Sequence, residues 1–158
     1  MTTIEVSTLI SASPARVWDD VAHIDTHVEW MADAAAIHFA NDQRQGVGTT
    51  FETLTKVGPI RLTDRMVITE WEPGRAMGIR HTGVVTGVGR FTLTAVSDTP
   101  GEPEQTRFTW VEDLRFPVWM GGTVGSRAGA KVLARIWRRN LENLRRRFEP
   151  GSPRAQRS

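Results

Sequence analysis

Between residues 35 and 115 six segments alternate apolar and polar side chains with a period of two: AAIHFAN, GTTFETLTKV, RLTDRMVITEW, RAMGIRHTG, GVGRFTLTAVS and QTRFTWVEDLRF. That alternation is the signature of half-buried β-strands, and the enrichment in Thr, Val, Phe and Trp agrees with it. Turn signals separate the segments: Gly46, Gly58-Pro59, Pro73-Gly74, Gly83 to Gly87, and DTPGEPE. Connections this short join antiparallel neighbours, because parallel strands need a long crossover. A sheet built this way has one face to bury, so the rest of the chain must supply a cover.

The cover stands at the end. Over residues 123 to 149 the apolar positions recur at helical spacing, with Leu133, Trp137, Leu141, Leu144 and Phe148 in one stripe. Ahead of the sheet, TIEVSTLI (3–10) puts Ile4, Val6, Thr8 and Ile10 on one side and reads as a further strand. In SASPARVWDDVAHI, Ser13 suits an N-cap and Pro14 the first helical position, where its missing N–H costs nothing. A second short helix is expected from Asp25 to Met31, capped by Asp25. The order is one strand, two short helices, six strands and one long helix, which is an α+β pattern.

Four stretches in this order carry a resemblance: SASPARVWDDVAHIDTHVEW, VITEWEPGRAM, GVGRFTLTAV and TRFTWVEDLRFP. The chain resembles the START-like helix-grip superfamily (SRPBCC, which includes the birch-pollen allergen) over residues 3 to 149. Within it, the polyketide cyclase/dehydrase and lipid-transport branch is the most similar. The resemblance implies a seven-stranded curved antiparallel sheet wrapped around a long C-terminal helix. It also implies a cavity between them, where apolar small molecules are carried or modified, usually with no metal and no cofactor.

The chain of 158 residues suits a single domain over 1–149, followed by PGSPRAQRS (150–158), whose Pro, Gly and Ser read as a disordered tail. It has no cysteine, which excludes disulfides, thiolate metal sites and a cysteine nucleophile. There is no apolar run near membrane-spanning length, and MTTIEVSTLI does not read as a secretory signal. A cytoplasmic location without stable membrane insertion is therefore expected.

Charge is uneven. Residues 1 to 115 sum to −6 and residues 116 to 158 to +8. Six arginines fall in ARIWRRNLENLRRRFE (134–149). Arg135, Arg138, Arg139, Arg146 and Arg147 are expected on the outer face of an amphipathic helix, where they also suit the helix dipole's negative end. The rival reading makes this face a contact for a chaperone or a ribosome. No DNA partner is expected, and pairing of two copies as a homodimer is left open.

Strand alternation gathers candidates for a pocket: Phe51 with Thr53, Met66 with Asp64 and Ile68, His81 with Met77 and Ile79, Phe91 with Leu93, and Trp110 with Phe108 and Glu112. Trp30, Phe51, Met66, Phe91, Trp110 and Met120 are expected to shape it, and Val124 and Ala128 to close it from the helix. Taken singly each aromatic reads as core filler. Taken together they form a mostly apolar wall with a few polar groups, as small-molecule sites do. Glu112 and His81 are the acid–base candidates. Burial of Glu112 beside Trp110 would disfavour its charged form, and an imidazole shuttles protons near neutral pH. The structural alternatives are an arginine partner for Glu112, Arg80 or Arg90, and a hydrogen-bonded core role for His81.

Three further features are weighed. His23 and His27 have metal-ligand spacing only if one helix spans both, and Ile24-Asp25 reads as a break, so no metal is expected. GVVTGVGR lacks the following helix that a dinucleotide loop needs. The apolar stretch 117–125 serves either as a lid or as packing for Trp119 and Met120.

Overall fold

The computed structural model describes residues 1–97 and 99–152. Strand β1 (Thr2–Ile10) buries Ile4, Val6 and Ile10 and exposes Thr3, Glu5, Ser7 and Leu9, as its alternation requires. Helix α1 (Pro14–Val21) starts at Ser13, whose hydroxyl accepts from the Arg16 amide at 3.2 Å. Such a cap contributes about 1 kcal/mol. Six strands follow: β2 (Ala34–Phe39), β3 (Thr50–Val57), β4 (Ile60–Glu72), β5 (Ala76–Thr82), β6 (Thr86–Ala95) and β7 (Thr106–Arg115). A short 3-10 turn at Val118–Met120 leads into helix α2 (Gly122–Arg146).

The strands form one open sheet in the order β1-β7-β6-β5-β4-β3-β2, with every pairing antiparallel. Hairpins join β2 through β7, so only β1 is placed by a long-range pairing, Ile4 opposite Glu112 and Val6 opposite Trp110. Register shifts at Ala34/Ala36 and Ile68/Glu70 bend β2 and β4, because an extra residue on one strand increases local twist. α2 buries Trp137, Leu141 and Leu144 against the curved sheet.

The C-terminal half of α2 is fastened by polar contacts. Asn140, fully buried, accepts from the Ala32 amide at 3.0 Å and donates to Asp33 Oδ1 at 2.7 Å. Asn143 donates to the Trp30 carbonyl at 3.2 Å. Arg147 donates to both oxygens of Asp20 and to Glu29.

Three expectations are corrected. The second short helix is a 3-10 helix, Ile24–Glu29, with no side-chain cap; Thr26 donates back to the His23 carbonyl instead. The chain leaves helical geometry at His23, so six residues are all that remain before β2 turns away. α2 ends at Arg146 rather than 149. Arg147, the C-cap, still has helical dihedrals (φ −65°, ψ −21°) and stands seven residues after Asn140 and three after Leu144, both buried, so its phase is inward rather than outward and its side chain is only 13% exposed. The tail read as disordered falls, from residue 153, outside the described residues. No described helix is long and apolar enough to cross a membrane.

Candidate functional site

A cavity of about 390 Å³ lies between the sheet and the N-terminal half of α2. Its walls are apolar for a direct reason: inward positions of β3 to β7 carry Phe51, Met66, Ile79, Phe91 and Leu114, and α2 adds Leu133 and Trp137. Gly125 and Gly129 face it from the helix and fill none of it. Trp137 stacks on Trp110, with centroids 4.5 Å apart and planes 16° apart. A pair of this kind contributes about 0.5–1.5 kcal/mol beyond its buried area.

One wall is polar. His81 on β5 lies between two carboxylates, Nδ1 against Asp64 Oδ2 and Nε2 against Glu112 Oε2 at 2.9 Å. Glu112 Oε1 also accepts from Trp110 Nε1 at 2.8 Å. His81 and Glu112 are both buried. Burial pushes the His81 imidazole down, but hydrogen bonds to Asp64 and Glu112 and their negative charge outweigh it and raise the pKa to about 10. The ring is thus an imidazolium at neutral pH, donating from both nitrogens.

His81 and Glu112 are not on adjacent strands; β6 runs between them. Gly87 pairs with His81 and Gly89 with Glu112, so both inward positions of β6 at this point lack a side chain. A Cβ on Gly89 would lie 2.4 Å from Glu112 Oε2, and one on Gly87 (φ +143°) would lie 2.0 Å from the Asp113 carbonyl oxygen. Gly89 thus opens the gap across which imidazolium and carboxylate meet, whereas Gly87 allows the close approach of the β7 backbone.

Seven of the ten residues expected here from sequence line the cavity: Phe51, Met66, His81, Phe91, Trp110, Glu112 and Met120. Trp30, Val124 and Ala128 do not. Trp30 is 1% exposed and sits behind the wall, against His27, Phe91 and Trp110. Val124 and Ala128 lie on the opposite stripe of α2, where both are exposed; the inward phase runs through Gly125, Gly129 and Leu133. Among the described residues Glu112 pairs with no arginine; Arg90 donates to Glu70.

In the 117–125 stretch, Met120 lines the cavity whereas Trp119 is 72% exposed. His23 and His27 do not converge. His23 Nδ1 bonds the Asp19 carbonyl and His27 Nε2 donates to the Val21 carbonyl.

Sequence reading missed Asp33 and Trp137 as cavity residues and left Asp64 without a role. Asp33 accepts from Asn140 and, at 3.3 Å, from Trp137 Nε1. Asp64 shares its strand face with Met66, and that inward acid was the available signal. Asp33, at a strand entrance, offered none.

Residues 1–149 match the family described as Polyketide cyclase / dehydrase and lipid transport. The chain belongs to that family. Among solved structures it is similar to the Zhui aromatase/cyclase of a Streptomyces species, at 15% identity and a TM-score of 0.72, over 96% of this chain and 98% of that one. It is also similar to a START superfamily protein of Mycobacterium smegmatis, at 11% identity and a TM-score of 0.71, over 92% and 96%. At such identities the likeness shows a shared fold, which is the START-like helix-grip fold. No curated protein matches the chain by sequence. Members of the family are described by both chemistry and transport, so the residues of this cavity must decide between them.

Proposed function

We propose that this protein binds a hydrophobic small molecule, of lipid, isoprenoid or polyketide-like character, in the cavity between sheet and α2. The observation that carries this is the cavity itself: about 390 Å³ with mainly apolar walls and one polar cluster. The cluster favours holding over reacting. Both His81 nitrogens are engaged by carboxylates and both Glu112 oxygens accept hydrogen bonds. A ring held as imidazolium has no lone pair to act as a base near neutral pH.

Mass spectrometry of the purified protein, native and then denatured, tests this. A reproducible apolar molecule near one per chain supports it. An empty protein that also refuses a panel of hydrophobic probes sinks it.

A second reading, a cyclase, aromatase or dehydratase, is favoured by one observation. An imidazole flanked by two carboxylates forms part of the cavity wall, where a bound carbonyl could exchange protons with it. If a poly-β-carbonyl compound is turned over, Glu112→Gln and His81→Ala should abolish turnover and keep binding. A contact of the basic helix with a chaperone or ribosome has less support. Arg145 and Arg146 pair with Glu142, Arg145 also with Glu149, and Arg147 with Asp20 and Glu29.

A further inference from the structure

The charges around the cavity are one-sided. Three carboxylates line it: Asp33, Asp64 and Glu112. Against them stands one cation, His81, and both of its N–H groups already go to Asp64 and Glu112. His27 also lines the cavity, but burial lowers its pKa to about 4, only partly offset by the Val21 carbonyl, so it is neutral. Arg90 precedes the inward Phe91 and turns its guanidinium to Glu70, half exposed, on the other face of the sheet. No other lysine or arginine among the described residues borders the cavity. A ligand therefore meets a net negative wall.

Two indoles complete the surroundings. Trp110 and Trp137 both line the cavity, and each aims its N–H at a carboxylate, Glu112 and Asp33 respectively. Their hydrogens are committed inside the protein, and because the two rings stack, each covers one face of the other and only the remaining ring surface belongs to the wall. An aromatic face attracts a cation, most strongly when water is excluded. The carboxylates and the electron-rich indole wall favour a positively charged donor and disfavour a carboxylate.

We propose that the cavity selects a hydrophobic amine, with its ammonium group at the carboxylate and indole wall and its apolar body along β3, β4 and the N-terminal half of α2. This rests on the cavity being the ligand site, as proposed above, and narrows the ligand to an organic cation. A fatty or polyketide acid of the same size would bring a further negative charge against the net negative wall, beside apolar side chains where like charges repel more strongly than in water.

Calorimetric titration with decylamine, decan-1-ol and decanoate, at neutral pH and low salt, tests the proposal at constant chain length. Decylamine should bind at least about tenfold more tightly than decanoate, with the alcohol between them. In Asp33→Asn and Asp64→Asn the amine should lose about fivefold or more, and the alcohol should stay within about twofold. Decanoate binding as well as decylamine overturns the proposal, and so do variants that leave the amine preference intact. Equal binding of all three removes the amine preference and keeps the cavity as the site, whereas no binding by any of them removes both. Should an Asn variant fail to fold, the ranking of the three ligands on the unaltered protein decides alone.

Discussion

His81 Nε2 and Glu112 Oε2 meet at 2.9 Å although β6 lies between their strands. Neighbouring strands stand about 4.8 Å apart, so residues two strands away are normally separated by an intervening side chain. Here the intervening positions are Gly87 and Gly89. The contact therefore exists because of what β6 lacks.

Gly89→Ala should displace the Glu112 carboxylate, since the added methyl would overlap three of its atoms within 2.5 Å. Overpacking of this kind costs about 1–3 kcal/mol, so the fold should survive. The informative reading is the His81 ring, followed by NMR against pH. Its midpoint should fall from about 10 towards the ordinary 6.5 as one of its two carboxylates withdraws. An unmoved midpoint would mean that Glu112 does not hold the proton on His81.

Stability should decline on both sides of pH 6.5, for opposite reasons. His27 is buried and its folded pKa is about 4, so from 6.5 down to 4 the unfolded chain binds more protons and stability falls. His81 has a folded value of about 10, so its contribution is complete below 6.5 and is lost as pH rises towards 10. Melting temperatures across this range should show both flanks. His27→Gln should flatten the acid flank and His81→Gln the alkaline one. A His81→Gln curve as steep above pH 6.5 as the wild type would sink the assignment.

Asn140→Ala should destabilise by about 2–3 kcal/mol, because it strips the Ala32 amide of its acceptor and Asp33 of a donor in a buried setting. Denaturant unfolding would show it as a lower midpoint at unchanged slope. A change under about 0.5 kcal/mol would place this network among contacts of no consequence for folding.

The arginines of α2 and its C-cap should divide sharply. Arg147→Ala should cost about 3 kcal/mol, since its 13%-exposed side chain pairs with the 5%-exposed Asp20. Arg138→Glu, on the solvent side, should change stability by less than about 0.5 kcal/mol. Equal effects in thermal or denaturant unfolding would contradict the placement of Arg147.

The sheet was legible because each strand states its own inward face. Phe51, Met66, His81, Phe91, Trp110 and Glu112 all face the cavity as alternation required. The partner of Glu112 was not legible, because it depends on strand order and on two glycines, Gly87, which reads as a turn signal, and Gly89, which reads as an ordinary strand position. The phase of α2 at Val124 and Ala128 failed for a related reason. Its inward positions there are Gly125 and Gly129, which carry no apolar signal, while the apolar ones face solvent. Trp30 shows that side-chain size and hydrophobicity predict burial but not which side of a wall a ring occupies. Arg147 escaped because the inward stripe of α2 is partly polar at its end: Arg147 follows the buried Asn140 by seven residues and Leu144 by three, and a cation there carries no apolar signal.

The gap in β6 also changes where inheritance is fragile. The proton held on His81 depends on Gly89, and the strand pairing beside it on Gly87, two positions that possess no functional group. Any substitution there is an addition, and the smallest one available, a methyl, already intrudes. Drift at the visible acids or at the imidazole can be compensated by another polar residue of similar reach. Drift at Gly87 or Gly89 has no such remedy, so the positions that a survey of reactive side chains would pass over are those with the fewest permitted alternatives.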